Sequence, residues 1–165
     1  MERIDLHTHT LASDGSDAPA DVVRKAAALG LRAVAVTDHD TFAGLPEARA
    51  AGQRCGIEVV PGVELSTVWG GEEVHLLGYF MDTEDTALRA LMTRATDERN
   101  ARNETMVQRL HDAGYPITMA DLHAAFPGQT VLGRPHIAAL LVQRGCIASV
   151  PDGMRGLLGR GKEFA

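Results

Sequence analysis

The sequence predicts an α/β fold organised around parallel strands. Through the first half, β-rich runs alternate with helical segments at roughly 25 to 30 residues per unit, the spacing of strand–crossover helix–strand modules. Proline stands where helices should begin and glycine where they should stop. At 165 residues and 45% hydrophobic content the chain has the material for a buried core.

Ile4 to His9 form the first strand. The loop Leu11 to Ala18, carrying Ser13-Asp14-Gly15-Ser16, leads to Pro19, a suitable first helical residue, and the helix Pro19 to Leu29 ends at Gly30. A second strand, Ala33 to Thr37, runs into the polar turn Asp38-His39-Asp40-Thr41, followed by a helix from Leu45 to Cys55 that Gly56 stops. The third strand covers Glu58 to Glu64, Trp69-Gly70-Gly71 reads as a turn, and Glu73 to Phe80 make a fourth strand whose direction is open. The texture then changes. Glu84 to Asp112 is helical, with Leu88, Leu91, Met92, Ala95, Met106 and Leu110 at helical spacing and Gly114 and Pro116 closing it. Thr118 with Asp121 resembles a capping box for a short helix to Ala125, and Pro135 opens another that ends at Gly145.

Charge and composition exclude several functions. With 16 Lys+Arg against 22 Asp+Glu the net charge is −6, so no general basic surface awaits a DNA duplex. Aromatic content of 4%, with a single Trp69, argues against a base-stacking platform. Cys55 and Cys146 are too far apart for a C-x-x-C zinc pair. No run of apolar residues is long enough for a membrane span and Met1 to Asp5 open no signal peptide, so a cytoplasmic protein without membrane or protein partner is expected.

The chemistry gathers at strand ends. In a strand, residues i and i+2 share a face, so His7 and His9 can reach one metal ion. Asp14 follows that strand, His39 follows the second, Glu64 ends the third and His75 lies in the fourth. The C-terminal edge of parallel strands is where ligands converge in α/β folds. Four imidazoles and two carboxylates, without a thiolate, suit Zn²⁺, Mn²⁺ or Fe²⁺, and a carboxylate such as Glu64 can bridge two ions. Asp38 and Asp40 flank His39 and are candidates for orienting a ligand imidazole or relaying a proton. Arg134 and His136 flank Pro135 at a helix start, where free N–H groups already favour an anion. The run Asp97 to Glu104 reads as a solvated helix face, and His111 and His123 as surface or packed histidines.

These residues carry a resemblance. Asp5-Leu6-His7-Thr8-His9 with Ser13-Asp14-Gly15, Thr37-Asp38-His39-Asp40, Pro61-Gly62-Val63-Glu64-Leu65-Ser66 and Val74-His75-Leu76-Leu77-Gly78 resemble successive motifs of the PHP (polymerase and histidinol phosphatase) family. Asp14 and Gly133-Arg134-Pro135-His136 resemble its stand-alone nucleoside bisphosphate phosphatase and 5′→3′ exoribonuclease branch. The resemblance implies a partial, distorted (β/α)7 TIM-like barrel with a helical insertion and two or three divalent ions of manganese, zinc or iron. His7, His9 and Glu64 would hold one ion, Glu64 and His75 would contribute to a second, and Asp14 with His39 to a third. Arg134, His136 and Lys162 would bind substrate phosphate. Residues 1–83 would form the N-terminal part of the barrel, 84–160 the insertion and 161–165 the start of a return to the barrel. The family's Asp-x-His pair has no counterpart after position 75, and four strands leave a barrel open, so a C-terminally truncated chain is expected.

The implied activity is metal-dependent phosphoester hydrolysis by water that the ions activate. Its substrate would be a small phosphorylated nucleotide, a nucleoside 3′,5′-bisphosphate losing its 3′-phosphate, or the 5′ end of a short RNA cut at the equivalent bond. Two alternatives stand beside it: histidinol phosphate as the substrate, and a catalytically incomplete metal-binding or interaction module.

Overall fold

A computed structural model describes residues 3–129, 131–159 and 161–164; Arg160, the last residue of the expected insertion, and Ala165 lie outside the described residues. The chain divides between Thr96 and Asp97 into two compact units.

The first unit is a four-stranded sheet with two crossover helices. β1 (Arg3–Thr8), α1 (Pro19–Ala28), β2 (Leu31–Val36), α2 (Leu45–Cys55), β3 (Glu58–Trp69) and β4 (Glu72–Tyr79) follow one another in the order expected, and the strands lie in the order β1-β2-β3-β4. β1 pairs with β2 and β2 with β3 in parallel, as the alternation of strand and helix requires. α1 starts at Pro19 and α2 stops at Gly56, whose φ of 67° is open to glycine at little cost. The helices bury Val23, Ala26, Leu45 and Ala48 against Val34, Val36 and Ile57. On β2, Ala33 and Ala35 join Val60 in a second cluster, against which Tyr79 packs. The Tyr79 hydroxyl donates to the Leu6 carbonyl at 2.7 Å, tying β4 to β1 and curling the sheet into a half-barrel.

β3 runs further than expected, and the direction left open for β4 is antiparallel. β3 continues past Glu64 to Trp69 and forms a long hairpin with an antiparallel β4, pairing Glu64 with Leu77 and Ser66 with His75. Gly70 and Gly71 close it with φ of 59° and 81°, the positive pair a two-residue hairpin turn needs. A stop at Glu64 overlooked Leu65, Thr67, Val68 and Trp69, all good strand formers.

The second unit is helical. It contains the later turns of α3 (Thr86–Asp112), then α4 (Met119–Ala125), α5 (Arg134–Gln143) and α6 (Val150–Gly156). Thr118 and Asp121 form the expected reciprocal cap on α4. α6 was not anticipated, although Ser149 caps it by accepting from Asp152 N–H and Pro151 sits in its first turn. Met106, Leu110, Ile117, Leu122, Ile137, Leu141 and Leu158 make one apolar core. Arg99 and Asn103, four residues apart, are buried, so the expected solvated face from 97 to 104 is only partly solvated; Asn103 Nδ2 donates to the Leu132 carbonyl at 3.0 Å.

The division falls inside α3 rather than at 83/84, where the texture of the sequence changes. The first turns of that helix belong with the sheet: Met92 is buried, and the Thr96 hydroxyl donates to the Asp40 carbonyl at 3.4 Å. Among the described residues no helix is long and apolar enough to cross a membrane.

Candidate metal centre

Pairing that outlasts the strands builds the site. Thr37 N–H donates to the Thr8 carbonyl at 2.9 Å, Glu64 N–H to the Asp38 carbonyl at 3.2 Å and Asp40 N–H to the Glu64 carbonyl at 3.0 Å. His39 thereby pairs in parallel with Glu64 beyond the regular end of β2. Asp40 has φ of 51°, tolerable for an Asx residue, and its Oδ1 accepts Ser66 N–H at 2.8 Å. The turn after β2 is thus locked to β3 where the ligand candidates stand.

The side chains converge on Glu64. His7 Nε2 and His9 Nε2 are 3.0 Å apart, and each lies 2.9 Å from Glu64 Oε2. His75 Nδ1 is 2.7 Å from the other oxygen, Oε1, a diagonal contact across the hairpin. His39 Nδ1 lies 3.8 Å from Glu64 Oε2 and His39 Nε2 3.6 Å from Asp14 Oδ2, while Asp14 Oδ1 is 3.2 Å from His9 Nδ1. Three groups result, each with donor atoms within 4.8 Å of one another: His7-His9-Glu64, His9-Asp14-His39 and His39-Glu64-His75. All six expected ligands are brought together, with Glu64 shared by two of the three groups.

The donors fit divalent metal ions. Ligand atoms held 2.0–2.1 Å from a tetrahedral ion are about 3.3 Å from each other, close to the 2.9–3.0 Å edges of the His7-His9-Glu64 triangle. One cation at its centre would engage three lone pairs at once, where a proton engages one pair of atoms. Imidazole and carboxylate together suit zinc, manganese and iron. Burial pushes the Glu64 carboxyl up, but the hydrogen bond to His7, the charges of His39 and His9 and the bond to His75 outweigh it and hold the group below the usual carboxylate range.

Asp38, a candidate for orienting a ligand imidazole or relaying a proton, turns its carboxylate into the loop after β1. Oδ1 accepts from Thr10 N–H and the Ser13 hydroxyl, and Oδ2 from the Thr10 hydroxyl, each at 2.7 Å. Asp40 likewise holds the backbone of Ser66. Both act on chain segments that carry ligands, because side chains of neighbouring residues at a strand end diverge to opposite faces.

Sequence reasoning overlooked three residues here. Thr10 and Ser13 are fully buried and bound to Asp38, and Glu73 Oε1 lies 3.5 Å from His75 Nε2. Glu73 was legible as the i−2 neighbour of His75 on one strand face; nothing local marks Thr10. Gly15 is required, since a Cβ there would lie 2.3 Å from the His9 carbonyl oxygen.

Arg134, His136 and Lys162 belong to the second unit. Arg134 opens α5, and His136 is buried with Nδ1 accepting Gly133 N–H at 2.9 Å and its ring edge-on to Phe126. His136 therefore caps the helix, and its Nε2 carries the ring proton. Lys162 is exposed on a turn closed by its own N–H and the Gly159 carbonyl. His111 is exposed, with Nδ1 3.2 Å from the Ile117 carbonyl oxygen.

The curled α/β sheet thus gathers at its strand ends clusters of imidazoles and carboxylates that could hold divalent metal ions. The PHP domain model matches residues 5–144, and the chain belongs to the PHP domain family. It is 38% identical over 160 residues to the 5′-3′ exoribonuclease Rnm of Salmonella typhimurium, covering 96% of this chain and 54% of the relative. It is 35% identical over 162 residues to the 3′,5′-nucleoside bisphosphate phosphatase of Chromobacterium violaceum, covering 98% and 57%. Among solved structures, a candidate metal-dependent phosphoesterase from Bifidobacterium adolescentis superposes with a TM-score of 0.92 at 32% identity, over 99% of this chain and 57% of the other. The chain spans about half the length of the curated relatives it matches.

Proposed function

We propose that this chain carries the principal metal site of a phosphoesterase that releases the 3′-phosphate of nucleoside 3′,5′-bisphosphates and cuts the equivalent bond at the 5′ end of short RNA. The observation that carries the reading is Glu64, whose two oxygens face separate histidine groups at 2.7–2.9 Å. Two relatives named for these substrates support the choice. A 5′-phosphorylated RNA terminus is itself a 3′,5′-bisphosphate with its 3′-phosphate esterified onward, so one pocket can serve both.

His7, His9 and Glu64 would hold one ion, Glu64 and His75 would contribute to another, and Asp14 with His39 to a third. Bound there, ions of manganese, zinc or iron would supply an acidified water as nucleophile at neutral pH and positive charge to offset the phosphate oxygens. The protein's part is geometric. Glu64 keeps its carboxylate charged between the imidazoles, Asp38 and Asp40 hold the segments that present the ligands, and Arg134, His136 and Lys162 grip substrate phosphate. An acidic chain with few aromatics favours recognition of one or two nucleotides over a long strand.

The test follows phosphate release from a nucleoside 3′,5′-bisphosphate and from histidinol phosphate, and mononucleotide release from a 5′-phosphorylated dinucleotide, after Mn²⁺ or Zn²⁺ addition. Preference for the first two is expected; a strong preference for histidinol phosphate overturns the substrate assignment. No hydrolysis of any of them, with fewer than two ions bound per chain, identifies a metal-binding module instead. Arg134→Ala should raise KM about tenfold or more with metal content unchanged, as expected for a lost guanidinium–phosphate contact.

A further inference from the structure

The loop after β1 contains a buried chain of hydrogen bonds that ends at a ligand candidate. Thr10, Ser13 and Asp38 are each at most 1% exposed. Asp38 Oδ1 receives Thr10 N–H and the Ser13 hydroxyl, and Asp38 Oδ2 receives the Thr10 hydroxyl, all at 2.7 Å. Thr10 Oγ1 in turn accepts Ala12 N–H at 3.0 Å, which leaves its own proton for Asp38. The glycine at 44 is part of the cradle, because a Cβ there would stand 2.9 Å from Asp38 Oδ2 and 3.0 Å from Thr10 Oγ1. Ser13 Oγ lies 3.4 Å from His9 Nδ1.

Proton counting gives this chain a direction. A serine hydroxyl has one proton, and Asp38 takes it, so toward His9 the Ser13 oxygen can only accept. The other neighbour of His9 Nδ1, Asp14 Oδ1 at 3.2 Å, is a carboxylate oxygen and also an acceptor. Both face Nδ1, so when a cation takes the Nε2 lone pair, between His7 Nε2 and Glu64 Oε2, the neutral ring can keep its proton on Nδ1 with two acceptors to receive it.

We propose that Asp38, acting through the Ser13 hydroxyl, is a positioning residue that fixes the His9 tautomer and so prepares Nε2 to bind a divalent cation. This rests on His9 being a metal ligand, the reading given above. It assigns to Ser13 the part that an outer carboxylate commonly plays directly, with the charge set one hydroxyl further back. The arrangement also explains why Asp38 is spent on a loop 28 residues earlier in the chain rather than on His39 beside it.

Two variants test it on the full chain, read by ¹⁵N NMR of the His9 ring nitrogens at about pH 8, above the ordinary imidazole range, and by Zn²⁺ affinity in chelator competition. Ser13→Ala should lose the uniform Nδ1–H form of His9 and weaken Zn²⁺ binding about 10- to 100-fold. Asp38→Asn should keep the tautomer, because Thr10 N–H and Ser13 both demand an oxygen at the Oδ1 position and will orient the amide accordingly. Unchanged tautomer and affinity in Ser13→Ala would leave Asp14 alone in the role and overturn the proposal, whereas loss of the Nδ1–H form in Asp38→Asn would support Asp38 as its source and show that its charge is needed as well as its oxygen. His9→Ala separates the two readings: if it leaves Zn²⁺ affinity unchanged, the metal-site assignment fails; if it lowers affinity while Ser13→Ala does not, only the relay fails. Neither readout depends on phosphatase activity.

Discussion

The two units bury different things. At the strand ends of the first, Thr10, Ser13, Thr37, Asp38, His39, Asp40 and Glu64 are all buried polar groups. In the second, the interior is Met106, Leu110, Ile117, Leu122, Ile137 and Leu141, with Arg99, Asn103 and His136 as its buried polar or charged groups among the described residues. Apolar burial stabilises without direction, whereas a buried polar network is favourable only in one geometry. The first unit therefore adds to its apolar clusters a buried polar layer that places atoms, while the interior of the second is mainly cohesive.

The contrast can be broken first at Glu64. Glu64→Ala or His9→Ala should lower turnover by roughly 100-fold or more and reduce bound metal, because each removes a ligand shared within the site. Normal activity in either, measured by phosphate release with circular dichroism confirming the fold, refutes the ligand assignment. The corresponding change in the second unit is Leu141→Ala, which should cost about 2–5 kcal/mol in urea unfolding, since the side chain is fully buried. A cost below about 1 kcal/mol would mean that this core is far looser than its packing indicates.

Metal removal sharpens the comparison. With an ion present at 100 times its dissociation constant, chelation should withdraw about 2.7 kcal/mol of stability, seen as a lower Tm. An identical Tm with and without chelator would deny the polar cluster its ion. The smallest effect belongs to the α4 cap. Thr118→Ala should destabilise by about 1 kcal/mol near neutral pH. The hydrogen bond from Thr118 holds the Asp121 carboxyl below its usual range, helped by Arg144. A carboxyl depressed by folding contributes stability above its unfolded pKa and loses it as pH falls through the folded value. The difference between Thr118→Ala and the parent should therefore shrink as pH falls below about 4; a difference that grows in acid contradicts the cap.

Much of the site was legible because metal ligation depends on residue type and strand periodicity. His7 and His9 share a face by the period of two, and Asp14, His39 and Glu64 stand at boundaries that Pro, Gly and β-branched runs mark. Element order, the α4 cap and the helix starts at Pro19 and Pro135 are likewise local properties. The strand direction of β4 was not, since a hairpin is decided by whether β3 continues to Gly70-Gly71, and His75 reaches Glu64 only through that antiparallel register. The same holds for Asp38. Its neighbours in sequence suggested His39, but its partners Thr10 and Ser13 come from another strand's loop.

By itself, then, the sequence determined the α/β order of elements, the metal-ligand residue types and the strand ends on which they sit, because these follow from backbone preference and side-chain period over a few residues. Only the tertiary structure decided which carboxylate serves which histidine. Those pairings reach as far as 57 positions along the chain, as from His7 to Glu64, and are set by sheet register and curl.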